Sequence, residues 1–445
     1  MLNNVSPSSG WNRTIDIAPL VSFRILYGLL GAFGLLWSMA KGDIHNRFIA
    51  ANFFFSYEGW EWIPYLGDAW ILPIYCIGII AALAISLGVL YRLSVFSFGL
   101  SFSYLHSIDA TNYINHYYLI WLFSLLLLLV PANAAYSLDL RLGLTKGRQS
   151  IPAWMVDIFK LQIAIVYIFA GIAKLNSDWL LGAMPLKIWC LQHQDFPLLG
   201  PLFKWDIAHY AMSWGGAFYD LTIIFWLLWR KTRVGAYLFV LTFHLLTAAM
   251  FDIGLFPPLM ICGSLIFFSP ARHRWVLTRL FGPSDRGADR LPKQVFFSKY
   301  IVLPFLYLYF LIQLFLPIRH LFFTNENILF TQNYYRYGWR VMLVENEGLV
   351  TFHVIDSNSN RTWVLDADNL EAEGLLTPYQ IKRMSVQPEH IRQFAHYLSD
   401  RYAAQYQIPR PIVRVDAFVA LNGRVSRRLI DPELDLARVG AAGLR

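Results

Sequence analysis

Asp68-Ala-Trp-Ile-Leu-Pro-Ile-Tyr-Cys-Ile-Gly-Ile-Ile-Ala-Ala-Leu-Ala-Ile-Ser-Leu-Gly-Val-Leu-Tyr91 carries a single carboxylate, on its first residue, and no basic side chain. A helix needs about 20 apolar residues to cross a hydrocarbon core of about 30 Å, and this run is long enough. Lipid offers no hydrogen bonds, so the backbone of such a run must satisfy itself as a helix. Comparable runs stand at roughly 17–39, 93–109, 116–135, 153–174, 206–229, 234–252, 254–270 and 300–320. The reading is an all-α polytopic membrane bundle of about nine transmembrane helices. The runs at 93–109 and 254–270 are short, and a re-entrant segment is the alternative for each.

The rest of the chain agrees with a lipid solvent. Of 445 residues, 56% are hydrophobic, 17% aromatic and only 15% charged, too apolar a balance for a soluble enzyme of this length. The net charge of +8 sits mainly in short segments between the apolar runs, which points to topology and away from nucleic acid. With nine spans, fifteen Lys and Arg fall on the side of the N-terminus, including Arg286, Arg290 and Lys293, and four on the other: Lys41, Arg47, Lys187 and Lys204. The positive-inside rule then places the N-terminus in the cytoplasm and the C-terminus outside. The first sixteen residues are polar, and the run from Ile17 is followed by no small-residue cleavage site, so a retained first helix is expected. Three cysteines, with Cys76 and Cys262 inside apolar runs, offer neither a disulfide framework nor a metal spacing.

After His320 the character changes. Val350-Thr-Phe-His-Val-Ile355 and Ile412-Val-Arg-Val-Asp-Ala-Phe-Val419 read as strands, and Gln387 to Tyr406 as a helix. The expected division is a transmembrane domain, 1–320, and a small α+β extramembrane domain, 321–445.

Ionisable groups within a span are expensive and point to function. Asp109, Asn115 and His116 flank one turn; Lys174 and Asp178 end the fifth span; His244 and Asp252 close the seventh; His320 ends the ninth. All lie toward the outer side. Each also has a structural reading: interfacial residue or cap for Asp178, Asp252 and His320, core histidine for His244, snorkelling for Lys174. Arg24, inside the first span, reads as a structural ion-pair partner. No Gly-rich phosphate loop, Gly-x-Ser-x-Gly elbow or His-Glu-x-x-His pair occurs.

Tyr167-Ile-Phe-Ala-Gly-Ile-Ala-Lys-Leu-Asn-Ser-Asp-Trp179 resembles the vitamin K-dependent gamma-carboxylases and their bacterial relatives. Further matches follow in the same order: Val21-Ser-Phe-Arg24, Leu87-Gly-Val-Leu-Tyr-Arg92, Asp109 with Asn115-His116, Pro131 to Asp139, Phe243-His244, Met250 to Gly254, Gln313 to Pro317, Tyr335 to Met342, and Asn422 to Asp435. The resemblance covers nearly the whole chain. It implies a bacterial inner-membrane enzyme that couples oxygenation of a reduced vitamin K (phylloquinol or menaquinol) by O2 to carboxylation of glutamate with CO2, without a metal. The implied partner beyond the bilayer is a Glu-containing peptide or secreted protein.

By the same resemblance Lys174 is the catalytic base and His116 holds a developing oxyanion. Asn115, Asp109, His244, Tyr335 and Met342 surround the quinol, and Trp339, His320 and Arg383 serve the substrate. An amine must be neutral to accept a phenolic proton, which an apolar site favours. The expectation is one cavity, open to the bilayer, lined by Asp109, Asn115, His116, Lys174 and His244 and covered by Tyr335 and Met342. The chain departs from the larger members at Ala173, where they carry a second lysine, and at Val344 and Asn346, where animal enzymes carry His and Arg. It also lacks their long luminal extension. Two alternatives therefore stand beside the carboxylase: a quinol oxygenase that carboxylates no peptide or acts on another acidic substrate, and a quinone-binding protein without enzymatic activity.

Overall fold

The computed structural model describes residues 13–283 and 299–440; Arg286, Arg290 and Lys293, counted above among the loop charges, lie outside them. Helices stand over all nine apolar runs: α1 (Ala18–Ala40), α2 (Asp68–Leu87), α3 (Tyr91–Ser107), α4 (Asn115–Leu129), α5 (Trp154–Ala173), α6 (Asp206–Leu228), α7 (Arg233–Met250), α8 (Phe256–Ser264) and α9 (Lys299–Ile318). Among the described residues six of these are long and apolar enough to cross a membrane, and α3, α4 and α8 are shorter.

Local chemistry explains where the helices depart from the expected limits. α4 stops at Leu129, six residues before the expected 135, because Pro131 drives Val130 into extended backbone (φ −115, ψ 146). α3 starts at Tyr91 and ends at Ser107, since Asp109 is extended (φ −132, ψ 114) and caps a short turn through the Thr111 N–H. α8 begins at Phe256 with Pro257 in its first turn and tightens into a 3-10 turn over Leu265–Phe267.

Residues 131–139 do not continue the helix; they build a clasp. The fully buried Arg24 guanidinium donates to the carbonyls of Ala132 (2.9 Å), Tyr136 (2.6 Å) and Ser86 (3.3 Å). It is structural, as expected, but its partners are carbonyl oxygens in place of the expected acid. Asp139 caps the start of α3, accepting from the N–H groups of Leu90 (2.7 Å) and Tyr91 (3.1 Å). Gly88 (φ +66) turns the chain where a Cβ would stand 2.6 Å from the Arg24 guanidinium. The matched segments around Arg24, Gly88 and Asp139 thus meet in one place and fix the α1, α2, α3 packing.

The C-terminal region forms an antiparallel sheet in the order β4-β3-β5-β6, from β3 (Asn346–Ile355), β4 (Thr362–Leu365), β5 (Ile412–Leu421) and β6 (Arg427–Arg428); β1 (Thr14–Asp16) and β2 (Ser150–Pro152) pair separately beneath the bundle. Inward residues alternate along β3 and β5, and α10 (Pro388–Tyr406) covers them with Ile391, Phe394, Ala395 and Leu398. Phe55, Tyr57 and Ala110 of the bundle's loops enter this same core. Asp109 accepts from Gln380 Nε2 at 2.7 Å, and Trp189 Nε1 donates to Glu345 at 2.7 Å. The sheet domain is therefore docked on the end of the bundle that carries Lys174.

Candidate functional site

Lys174 caps the C-terminal end of α5, and Asn176 begins the next short helix, Ser177–Gly182, by accepting the Trp179 N–H. The lysine does not snorkel outward. Its Nζ lies 2.7 Å from Asp220 Oδ2 and 5.2 Å from the Trp179 ring centroid, with both members of the pair less than 9% exposed. Gly171 makes the pair possible, because a Cβ there would stand 2.9 Å from the Leu221 backbone nitrogen, and α5 and α6 could not approach. Trp179 is fixed in turn by donating from Nε1 to the Ser213 carbonyl at 2.7 Å.

Two turns earlier on the same face of α5 stands Tyr167. Its hydroxyl lies 3.0 Å from His244 Nε2 and 3.3 Å from the Tyr219 hydroxyl, next to Asp220 in sequence. His244 is buried, and its Nδ1 has no partner among the described residues. His116 is 3% exposed and packs by Gly254. The Phe256 ring meets both histidines, 6.1 Å from His116 and 5.9 Å from His244 between centroids. The structure thus joins Lys174, Asp220, Tyr167, Tyr219 and His244 through adjoining contacts, and His116 reaches this group through the Phe256 ring that it shares with His244.

The remaining sequence candidates go elsewhere. Asp109 serves the domain junction through Gln380, and burial raises its carboxyl above the ordinary range. Asn115 accepts from the Tyr113 hydroxyl (3.0 Å) and donates to the Arg340 carbonyl (2.9 Å). His320 receives Arg340 Nη2 at 2.8 Å, and burial lowers that guanidinium to about 10. Trp339 is wholly buried and stacked on Tyr118 at 5.3 Å. Arg383 is exposed over the Tyr379 ring. Tyr335 lines a separate cavity whose walls do not include Lys174, His116 or His244.

Met342 is half-buried beside Leu343, which packs against Trp179 and Ala217. The segment leading there is strained: Gln332, Tyr334, Tyr337, Trp339 and Met342 all hold φ between 54 and 61. Such backbone is retained where surroundings or function demand it.

Asp220 is the residue that sequence reasoning passed over. Its signal in the sequence is a lone carboxylate in the middle of Ala217-Phe-Tyr-Asp-Leu-Thr-Ile-Ile224, away from the span ends where most other ionisable groups stand.

The chain matches the family described as HTTM domain over residues 12–272, and the one described as vitamin K-dependent gamma-carboxylase, lumenal domain, over residues 298–443. No solved structure matches it.

Proposed function

Since the chain belongs to the vitamin K-dependent gamma-carboxylase family, we propose that it is a membrane enzyme that oxygenates a reduced vitamin K quinol and uses the energy released to carboxylate glutamate with CO2. The observation that carries this reading is the buried Lys174–Asp220 pair at 2.7 Å, set at the bilayer end beneath the C-terminal domain. A quinol fits the donor set: an amine, two histidines, two phenols and aromatic walls suit a flat diol, and the partnerless His244 Nδ1 offers one of its oxygens a hydrogen bond. The quinol, as substrate, supplies the reducing equivalents for O2.

Lys174 takes the phenolic proton at Nζ, and for that it must first be neutral. Moving its own proton along the 2.7 Å bond to Asp220 frees the amine without separating charge, an exchange that a low-dielectric site favours. After proton transfer the Asp220 carboxyl group again faces the ammonium. His116 and His244 hold the quinol oxygens, and Trp179 with Leu343 keeps water from the amine. The C-terminal domain, on the non-cytoplasmic side, presents the glutamate. A cysteine placed at Ser357 and modified only from the cytoplasmic face would overturn that orientation.

The test of the base is Lys174→Ala. Epoxide formation stops, and a small exogenous amine partly restores it in proportion to its unprotonated fraction. Full oxygenation by the folded variant without amine would refute the assignment.

A second reading keeps quinol oxygenation and drops peptide carboxylation. Val344 packs with the Trp179 cluster, and Asn346 donates to the Leu329 carbonyl at 3.2 Å, so neither supplies the cation of the animal enzymes. Epoxide formed without carboxylated peptide, across Glu-containing acceptors, would favour it.

A further inference from the structure

The cavity of about 580 Å³ that Tyr335 helps to line lies between α3 and α4 on one side and α9 on the other. Tyr118, Trp121, Leu122 and Leu125 form its α4 wall at helical spacing, and His116, two residues from Tyr118, faces the opposite way. The cavity is therefore separate from the lysine site. Its size falls in the range of about 300–1,000 Å³ typical of small-molecule sites.

Its two halves differ in chemistry. At membrane depth the walls are apolar: Trp121, Leu122, Leu125, Phe305, Leu308 and Ile312. α9 is clasped to the bundle by Tyr309 on Gln162 (2.9 Å) and Gln313 on Tyr118 (2.8 Å). Leu308 and Ile312 remain 56% and 42% exposed, so the cavity opens sideways toward the hydrocarbon.

At the outer end stand Arg319 and Arg336. Arg319 lies 5.8 Å from the Tyr334 and Tyr337 rings and donates to the Arg336 carbonyl at 3.0 Å. Arg336 lies over the Tyr57 ring and donates to Gln387 (2.9 Å) and His390 (2.7 Å), both neutral acceptors. Among the described residues neither guanidinium pairs with a carboxylate. Of the two rim carboxylates, Glu389 is bound to Arg392 at 2.6 Å, and Glu58 adds to the field at that same arginine.

We propose that this cavity binds a membrane lipid with an anionic headgroup, its acyl chain between α4 and α9 and its phosphate on Arg319 and Arg336. A quinone head is neutral and gives two unpaired guanidiniums nothing to neutralise, whereas a phosphate accepts from both. The lipid would join the bundle to the C-terminal domain, because Arg319 follows α9 and Arg336 is bonded to α10 and its cap.

Native mass spectrometry of the full chain with equal phosphatidylglycerol and phosphatidylcholine of the same acyl chains, with menaquinone added in a second series, tests this without any turnover. Phosphatidylglycerol should be retained at one per chain and at least about tenfold over phosphatidylcholine, the order expected for two basic side chains at a headgroup. Arg319→Gln should remove the preference. Ile312→Trp, which fills the apolar half and leaves both arginines in place, should remove retention. Equal retention of the two lipids, unchanged retention in Ile312→Trp, or displacement of phosphatidylglycerol by menaquinone would each overturn the proposal.

Discussion

Two Lys–Asp pairs with the same local origin stand in very different surroundings. Lys41 caps the C-terminal end of α1 and Lys174 that of α5. Lys41 reaches Asp252 at 3.3 Å with side chains 43% and 84% exposed, while Lys174 reaches Asp220 at 2.7 Å with both nearly sealed. In water the first pair gains little, because solvent already stabilises each charge. In the second, each charge is tolerated only because the other is present. Sequence spacing treats the two alike; the packing of α5 against α6 makes the difference.

The largest contrast is in activity. Lys174→Ala should lower quinol epoxidation by about 10²–10⁴-fold, the range for loss of a general base, and Lys41→Ala should leave it unchanged in the same assay. Equal losses would remove the distinction.

Stability sharpens it next. Asp220→Ala strands a buried ammonium and should cost about 3–5 kcal/mol in the denaturation midpoint, whereas Lys174→Met with Asp220→Leu together should be close to neutral. That double variant, folded but inactive, would show that the pair is kept for chemistry. A double variant as unstable as Asp220→Ala would show a structural strut.

A smaller effect concerns pH. His390 is buried beneath Phe55, and burial, then Arg336 and Arg383, hold its imidazole well below the ordinary value. The unfolded chain therefore binds a proton that the folded chain refuses. This contribution is complete above about pH 6.5 and is lost as the pH falls below it, by up to about 1.4 kcal/mol per pH unit. His390→Leu should flatten that slope in thermal melts between pH 6.5 and 5; an unchanged slope would assign it to other groups. The smallest effect is Lys41→Ala itself, expected below about 1 kcal/mol and weaker still at high salt.

The nine helices were legible because each apolar run has to bury its own backbone in lipid, and the alternation of β3 and β5 was legible because one face packs under α10. The end of α4 was misread where hydrophobicity continued past Pro131 although the backbone could not. Lys174 and His116 are singled out in the sequence by the motifs that carry them. Their surroundings are not: Asp220 lies 46 residues from Lys174, and no periodicity on α5 or α6 announces that contact. The lateral cavity exists because α9 stands off from α3, a distance that no local pattern encodes.

Asp178, four residues beyond Lys174, is held by Asn422 at 3.0 Å and by both Arg424 guanidinium nitrogens. These residues begin the turn that leaves β5, so the loop after the lysine is anchored to the longest strand pair of the C-terminal domain. The tie reaches the chain four residues beyond Lys174, so a shift of that sheet edge and a shift of the lysine loop are coupled by geometry. The Asp178 carboxylate joins the contacts at Asp109 and Trp189 as a further tie between the two domains, and of the three it is the nearest to the lysine in sequence.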